Sequence, residues 1–335
     1  MSEKVKVLFL TDFLTATDKY YGEPFSGQDG QWLRKFCGQQ GLSHREVAFG
    51  CLYKKMPPAG KVENWWTKKK PATLGWRRLP TGWLHPEAAG QEENLWKKIR
   101  EVDPEVIVPM SDPVFQLLGG EGGCAIWRGS ELTWAGRRMI PTYPAVWLRM
   151  NPALEDVRKA DIRKALGPKA EVPKRTMVLN PTFEQVSWEL TDIYKELETG
   201  PVYIDLDLET IANHITCLGL AWKDDRAICI PFTTNGLLKP RWSAEEEYNL
   251  ISTLRWILTH PNARICGQNL FYDFQIIHHH WMFIPNFHFD TMLSHHVHFP
   301  WLEKNLAFQT SLYVPHYTYW KDMHRVKKGE VKDED

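Results

Sequence analysis

The chain has 335 residues, of which 43% are hydrophobic and 24% are charged. This composition is typical of a folded protein, and the length leaves room for two domains that each bury a core. The 41 basic and 41 acidic residues cancel, which excludes a uniformly basic surface for nucleic acid. No apolar run reaches the length of a membrane span, and the N-terminus lacks a secretory cleavage site, so we expect an intracellular, cytoplasmic protein.

The first half of the chain alternates predicted strands and helices. Strands are predicted from Lys4, at Glu46–Tyr53 and at Glu105–Met110, and helices at Gly30–Gln40, at Gln91–Val102 and after Asp112. Alternation at this spacing predicts an α/β domain with a mainly parallel sheet.

A segment rich in tryptophan and basic residues interrupts this pattern between Lys61 and Arg78. Its candidate DNA-binding residues are Trp65, Trp66, Lys68, Lys69, Lys70, Arg77 and Arg78. Such a mixture suits single-stranded nucleic acid, because bases stack on aromatic rings while cations hold phosphates. The alternative is a solvated loop whose tryptophans pack back onto the domain.

A charged, helix-prone bridge follows at Asn151–Lys174, and Pro173 breaks it. Thr182–Gly200 is predicted to be an amphipathic helix that ends at its glycine. We therefore expect a first domain at residues 1–165, a helical linker at 166–200 and a second domain at 201–335.

The strand that opens the second half carries three acids at alternate positions. In "VYIDLDLETIANHITCLGLAW", Asp205, Asp207 and Glu209 are two residues apart, so they share one face. Carboxylates this close together are unfavourable unless a cation lies on them.

A second candidate group lies about sixty residues further along the chain. A short strand at Ala263–Cys266 leads into a helix with Asn269 and Asp273, which are four residues apart and are expected to share a face. Oxygen ligands without sulfur indicate Mg²⁺ or Mn²⁺ rather than zinc. Two such ions could clamp the attacking water and the leaving oxygen of a phosphodiester.

The order of these segments resembles a known nuclease domain. A strand with D-x-E-T is followed by "ITCLGLAW", "AICIPF", a helix, "GQNLFYD" and "FDTML". This order is similar to the proofreading 3′-5′ exonuclease domain of family A DNA polymerases, within the ribonuclease H-like group of DEDD exonucleases. The resemblance covers residues 201–322 and implies a mixed-sheet domain.

The resemblance also implies roles for individual residues. Asp207, Glu209 and Asp273 match the metal-binding catalytic acids, with Asp205 as a spare ligand. The implied DNA-binding residues are Thr210, Gln268, Asn269 and Tyr272. Asp290 matches a position with a structural role.

The third motif of that family, Tyr-x-x-x-Asp or His-x-x-x-Asp, is missing. Thr318 stands four residues before Asp322, and Gly329 stands four before Asp333. The chain resembles phage polymerases up to "LAFQTSLYVPHYTYWKDM". We therefore expect a fragment, a split gene product completed by another chain, or a domain that has lost catalysis.

Seven histidines crowd the same region of the second half. They are His278, His279, His280, His288, His295, His296 and His298. Because neither cysteine nor glutamate lies among them at ligand spacing, we expect surface or half-buried polar residues rather than a zinc site. The six cysteines, at positions 37, 51, 124, 217, 229 and 266, contain no C-x-x-C and are expected to be reduced, buried thiols.

The first half resembles the uracil-DNA glycosylase superfamily, in particular its iron-sulfur members. The segments that match are residues 22–58, 104–120 and 140–152. The position of the base-reading Asn is taken by Cys51, that of a cluster cysteine by Lys55, and the closing His is missing beside Tyr143. The resemblance therefore implies a glycosylase-like parallel-sheet α/β sandwich without glycosylase activity.

The sequence as a whole predicts a 3′-5′ exonuclease module of a phage replicative DNA polymerase, with two Mg²⁺ or Mn²⁺ ions. Its expected partners are single-stranded DNA 3′ ends, primer-template DNA, and a polymerase chain or other replication proteins. Polymerase activity is not expected, because 335 residues leave no room for that domain. The alternative is a non-catalytic DNA-binding or partner-docking subunit of a replication complex.

Overall fold

A computed structural model describes residues 4–144, 150–234 and 239–320. The chain divides into two compact units, one of Met1–Glu171 with Ala307–Asp335 and one of Val172–Leu306. Across the described ranges, none of the helices combines the length and the apolar character that crossing a membrane requires.

The first unit is built around a parallel sheet. Its strands are β1 (Val7–Phe13), β2 (Val47–Tyr53), β3 (Trp66–Thr67), β4 (Arg77–Leu79), β5 (Gly82–Leu84), β6 (Val106–Pro109), β7 (Leu132–Trp134) and β8 (Arg137–Met139). Among the described residues up to 171, its α-helices are α1 (Ala16–Tyr21), α2 (Gln28–Gln39), α3 (Pro86–Ala89), α4 (Glu92–Val102), α5 (Asp112–Leu117), α6 (Cys124–Trp127) and α7 (Glu155–Leu166).

The main sheet of this unit has the strand order β2-β1-β6-β8-β7. All neighbouring pairs are parallel except β7 with β8, and β3, β5 and β4 form a separate antiparallel sheet. Alternate residues of β1 enter two different cores, Leu8 and Leu10 on one face and Val7 and Phe9 on the other. Because the sheet is covered on both faces, the predicted parallel-sheet α/β sandwich is confirmed.

The second unit is a mixed α/β domain. Its strands are β9 (Thr176–Val178), β10 (Val202–Ile211), β11 (His214–Lys223), β12 (Arg226–Pro231), β13 (Thr233–Thr234), β14 (Lys239–Pro240), β15 (Ala263–Gly267) and β16 (Phe287–Asp290). Its helices are α8 (Phe183–Thr199), α9 (Ala244–Leu258), α10 (Leu270–Trp281) and α11 (Thr291–His298).

The central sheet of this unit has the order β16-β15-β10-β11-β12-β9. Strand β10 runs parallel to β15 and antiparallel to β11, so the mixed sheet predicted for the second half is confirmed. Ile204, Leu206 and Leu208 of β10 point into the single core cluster of the unit. The acids therefore lie on the opposite face of a strand that is anchored by its apolar side.

The predicted domain boundaries need correction. Helix α8 is not a linker: Thr182 and Gln185 form a reciprocal N-terminal cap, and Val186 and Leu190 belong to the core of the second unit. The last described helix, α12 (Leu306–Tyr313), lies mostly in the first unit, where the buried Arg128 side chain donates to the Ser311 hydroxyl. Helix periodicity identifies an apolar face, but the core that this face joins depends on tertiary packing.

Candidate metal and nucleic-acid site

The acidic face of β10 is open to solvent. The side chains of Asp205, Asp207 and Glu209 are exposed, whereas Leu206 and Leu208 between them are buried. The alternation predicted from the sequence therefore holds over the whole motif, and the strand presents three carboxylates in a row.

Short side chains on neighbouring strands leave a groove beside these acids. Gly219 of β11 lies opposite Asp207, and Ala221 lies opposite Asp205. The groove has a volume of about 440 Å³ and is lined by Asp205, Asp207, Gly219, Cys229, Gln268 and Leu306, among others. The groove-lining residues of β11 and β12 were not predicted from the sequence, although small and apolar residues alternate along both strands.

Asp273 reaches β10 from the helix that follows β15. The pairing of β15 with β10 ends at Cys266 opposite Asp205, so Leu208 lies beyond the last paired residue. Its backbone N–H donates instead to Asp273 Oδ1 over 2.9 Å. The carboxylate thus takes the place of a strand carbonyl, which fixes Asp273 at the edge of the acidic strand.

Burial and neighbouring charges disfavour ionisation in this cluster. Asp273 is only 4% exposed, and burial raises its pKa to about 6; the Leu208 N–H opposes this rise, while the charge of Asp207 adds to it. Although the side chains of Asp207 and Asp205 reach solvent, the surrounding protein partly desolvates their carboxylates and raises their pKa as well. A cation placed among these groups would favour their charged forms.

The structure does not assemble the predicted three-carboxylate ligand set. In the part of the chain that is described, no group of three or more His, Cys, Asp or Glu side chains is arranged to hold a metal ion. Asp207 and Asp273 are electrostatically coupled, whereas a bulge interrupts β10 between Glu209 and Thr210. Two carboxylates are nevertheless chemically suited to one Mg²⁺ or Mn²⁺, since Mg²⁺ commonly keeps several waters and binds through one or two carboxylates plus substrate phosphates.

Asn269 does not share a helical face with Asp273. It precedes α10 as the N-cap residue in the left-handed region, with φ of 61°, so the four-residue spacing does not have helical geometry there. Asparagine tolerates this conformation better than most residues. The shared-face prediction was therefore wrong, although Asn269 remains exposed at the start of the helix.

Asp290 acts as a structural acceptor for the ends of two helices. At the start of α10, its carboxylate accepts hydrogen bonds from the backbone N–H groups of Asn269 and Leu270. At the start of α11, it accepts hydrogen bonds from those of Met292 and Leu293. The four bonds are 2.8–3.2 Å long. The structural role implied by the resemblance agrees with these four bonds, which position the helix that carries Asp273.

The other implied DNA-binding residues differ in how accessible their side chains are to DNA. Gln268 donates to the Lys304 carbonyl over 2.7 Å and accepts from the Thr291 hydroxyl, so both ends of its amide have partners within the unit. The hydroxyls of Tyr272 and Thr210 are 2.7 Å apart and either can donate. Tyr272 is 41% exposed, which leaves its ring accessible beside the acidic strand.

The tryptophan-rich segment of the first unit is only partly exposed to solvent. Trp65 is 4% exposed and packs edge-on against Tyr53 and His85, so it offers no ring face to a base. The prediction that Trp65 stacks on DNA was wrong, because its indole fills the core of the unit. Trp66 is half-buried.

The cations of the same segment are exposed as predicted. They are Lys68, Lys69, Lys70, Arg77 and Arg78. Arg77 pairs with Glu92, and the Arg78 guanidinium lies 5.0 Å above the Trp83 ring. Of the seven histidines between residues 278 and 298, His295 is buried and the other six are exposed.

No protein-family model and no curated protein sequence matches the chain. Escherichia coli RNase D, an exoribonuclease involved in structured RNA processing, is similar at 15% identity with a TM-score of 0.32, over 46% of this chain and 36% of that one. The catalytic core of RRP6 from Trypanosoma brucei is similar at 12% identity with a TM-score of 0.35, over 57% of this chain and 50% of that one. The Aedes aegypti Nibbler EXO domain is similar at 11% identity with a TM-score of 0.34, over 47% of this chain and 78% of that one.

Proposed function

We propose that the second unit is a metal-dependent exonuclease module that hydrolyses phosphodiesters at DNA 3′ ends, as in the proofreading domain of a phage replicative polymerase. The observation that supports this most directly is that the Leu208 N–H holds the Asp273 carboxylate against β10, where the charge of Asp207 on the open face of that strand raises the pKa of Asp273. The adjoining groove is lined by Asp207 and Asp205 and would give a nucleotide access to these two carboxylates.

Asp207 and Asp273 would hold one divalent ion, and Glu209 and Asp205 are the further acids on the same strand face. Bound Mg²⁺ or Mn²⁺ would supply Lewis acidity at the phosphate and a nucleophilic water. The protein itself would contribute position, because Asp290 and Leu208 fix the helix and the carboxylate before substrate arrives. Tyr272 and Thr210 would guide the 3′ end beside the acids.

A non-catalytic DNA-binding or docking role is the second candidate. It is favoured by the lack of a three-ligand group among the residues that the structure describes. A metal held by two carboxylates leaves the geometry of in-line attack incomplete. In that case a carboxylate from a polymerase-domain chain or another replication protein would have to complete the site.

The test is digestion of 5′-labelled DNA by the full chain with Mg²⁺ or Mn²⁺, on single strands and on duplexes with a mismatched 3′ end. RNA strands of the same sequence test whether hydrolysis depends on the sugar of the nucleic acid. The variant Asp207→Ala/Glu209→Ala should lose all hydrolysis. The control variant Asp224→Ala removes an exposed acid from the β11–β12 turn of the same unit, and it should hydrolyse DNA as the wild type does.

Metal affinity separates the two candidates. Calorimetric titration with Mn²⁺ should show binding to the wild-type chain and at least a tenfold loss in Asp207→Ala/Glu209→Ala. Binding with hydrolysis supports the exonuclease. Mn²⁺ and DNA binding without hydrolysis supports the docking subunit, and a chain that binds no Mn²⁺ contradicts the proposed site.

A further inference from the structure

The groove beside the acidic strand has an apolar floor and an apolar rim. Its floor consists of two cross-strand pairs of small residues from β11 and β12, namely Gly219 with Cys229 and Ala221 with Ala227. Its rim carries three exposed apolar side chains, those of Met177, Leu179 and Leu306. Small residues on a sheet face leave room above the strands, and the resulting volume of about 440 Å³ lies in the usual range of ligand pockets.

Charge in this groove is confined to one end. Among its lining residues, all of which the structure describes, Asp205 and Asp207 are the only ones with a charged side chain. Both ends of the Gln268 amide have partners within the unit. A phosphate group would therefore find no cation along the apolar floor, and it could lie only at the acids, where a bound metal would bridge it. The rest of the groove suits an uncharged group with apolar faces.

The groove leads away from the acids across the strands of the sheet. Strands β10, β11 and β12 are consecutive neighbours, and Gly219 and Ala221 lie directly opposite Asp207 and Asp205. Because neighbouring strands are about 4.8 Å apart, the floor residues of β12 lie about 10 Å from the acidic strand. This separation is compatible with a single nucleotide whose phosphate lies at the acids and whose base lies in the groove.

We propose that this groove is a nucleobase subsite, which holds the 3′-terminal base of a DNA strand whose phosphate lies at Asp207. The proposal rests on the exonuclease function proposed above, which places the phosphate. Every base has two flat faces that apolar side chains can cover, so contact of this kind tolerates all four bases. We therefore expect the groove to require a base at the 3′ end without selecting its sequence.

Gly219 allows the groove to be filled while the sheet is left intact. A Cβ at this position would have the Asp207 backbone oxygen as its nearest neighbour at 3.7 Å, which is an ordinary van der Waals contact. Residues directly opposite each other share a sheet face, so a larger side chain would project into the groove beside Asp207. Valine is also favoured in strands. The variant Gly219→Val should therefore fold and occupy the space that the base would take.

Gly200→Val is the matched control for this change. Gly200 belongs to the same unit, does not line the groove, and has no atom within 4 Å of the position of an added Cβ. Its backbone is extended, with φ of 162° and ψ of −171°, so valine can adopt the same conformation.

The test measures fluorescence anisotropy of the full chain with 5′-labelled single strands that differ only at the 3′ end, which is dA, dT or an abasic residue. Ca²⁺ replaces Mg²⁺, and gel analysis checks that the DNA stays intact. The wild type should bind the dA and dT ends similarly and the abasic end on the order of tenfold more weakly, as expected for burial of about 60 Å² of ring surface. Gly219→Val should lose this difference, with a larger loss of affinity for dA than for dT, whereas Gly200→Val should keep it.

A photochemical cross-link locates the base independently of affinity. A strand that ends in 4-thiothymidine should cross-link to groove residues such as Met177 or Cys229, as read by peptide mass spectrometry, and Gly219→Val should suppress this product.

Three results would overturn the proposal. They are an abasic end that binds the wild type as tightly as a normal end, a cross-link to residues outside the groove, and a Gly219→Val variant that keeps the preference for a base. No hydrolysis is read, so a base preference in an inactive chain would refute only the exonuclease proposal. Hydrolysis that is indifferent to Gly219→Val would refute only the subsite.

Discussion

Replacing Asp273 with asparagine should stabilise the second unit at neutral pH while removing its ability to bind metal. The pKa of Asp273 is raised to about 6 from an ordinary value of 3.8, mainly by burial. A raised carboxyl pKa means that the folded state favours the neutral form. Its contribution to stability is therefore complete below the unfolded pKa and is lost as the pH rises through about 6.

The size of the effect follows from the shift in pKa. A difference of roughly two pH units corresponds to at most about 3 kcal/mol at pH 8, at 1.36 kcal/mol per unit. Asparagine is neutral at all pH values, and its Oδ1 can still accept from the Leu208 N–H. We therefore expect Asp273→Asn to raise the free energy of unfolding by about 1–3 kcal/mol at pH 8 and to change it little near pH 4.

Urea unfolding at several pH values, followed by circular dichroism, measures this difference. Asp273→Ala is the matched comparison, because it is also neutral but leaves the buried Leu208 N–H without its acceptor, at a cost of about 1–3 kcal/mol. Adding Mn²⁺ should stabilise the wild type and neither variant. Equal destabilisation by Asp273→Asn at every pH would refute the reasoning, since the carboxylate would then be a purely structural acceptor.

Three further outcomes are expected. Asp290→Ala removes the acceptor of four backbone N–H groups. In urea unfolding, this change should lower the stability of the second unit by about 2–4 kcal/mol. A loss of stability below about 0.5 kcal/mol would contradict the capping role of Asp290. Changing Lys68, Lys69 and Lys70 together to alanine should weaken single-stranded DNA binding and reduce the slope of log affinity against log salt by about 2 in anisotropy titrations, whereas an unchanged slope would exclude this surface from DNA contact. Asp161→Ala leaves the buried Arg128 guanidinium without its carboxylate partner and should lower stability by about 3–5 kcal/mol in thermal unfolding; an unchanged melting temperature would show that the ion pair is dispensable.

The sequence by itself was sufficient for the elements with strong local signals. Strand β10 could be predicted because its apolar and acidic residues alternate with the period of a strand, which also places Asp205, Asp207 and Glu209 on one face. Helix α8 could be predicted because Thr182 caps its start and Gly200 follows its end. These features depend on neighbours within a few residues along the chain.

Tertiary structure decided the features that depend on distant neighbours. Asp273 meets β10 because β15 stops pairing before Leu208, which leaves an N–H that the Asp273 side chain from the next helix accepts from. Trp65 is buried and α8 joins the second core because apolar surface packs wherever the fold provides a partner, and no local pattern specifies that partner. The placement of Cys217 and Cys229 at diagonal positions on one sheet face likewise follows from strand register, which the sequence spacing of the two cysteines does not reveal.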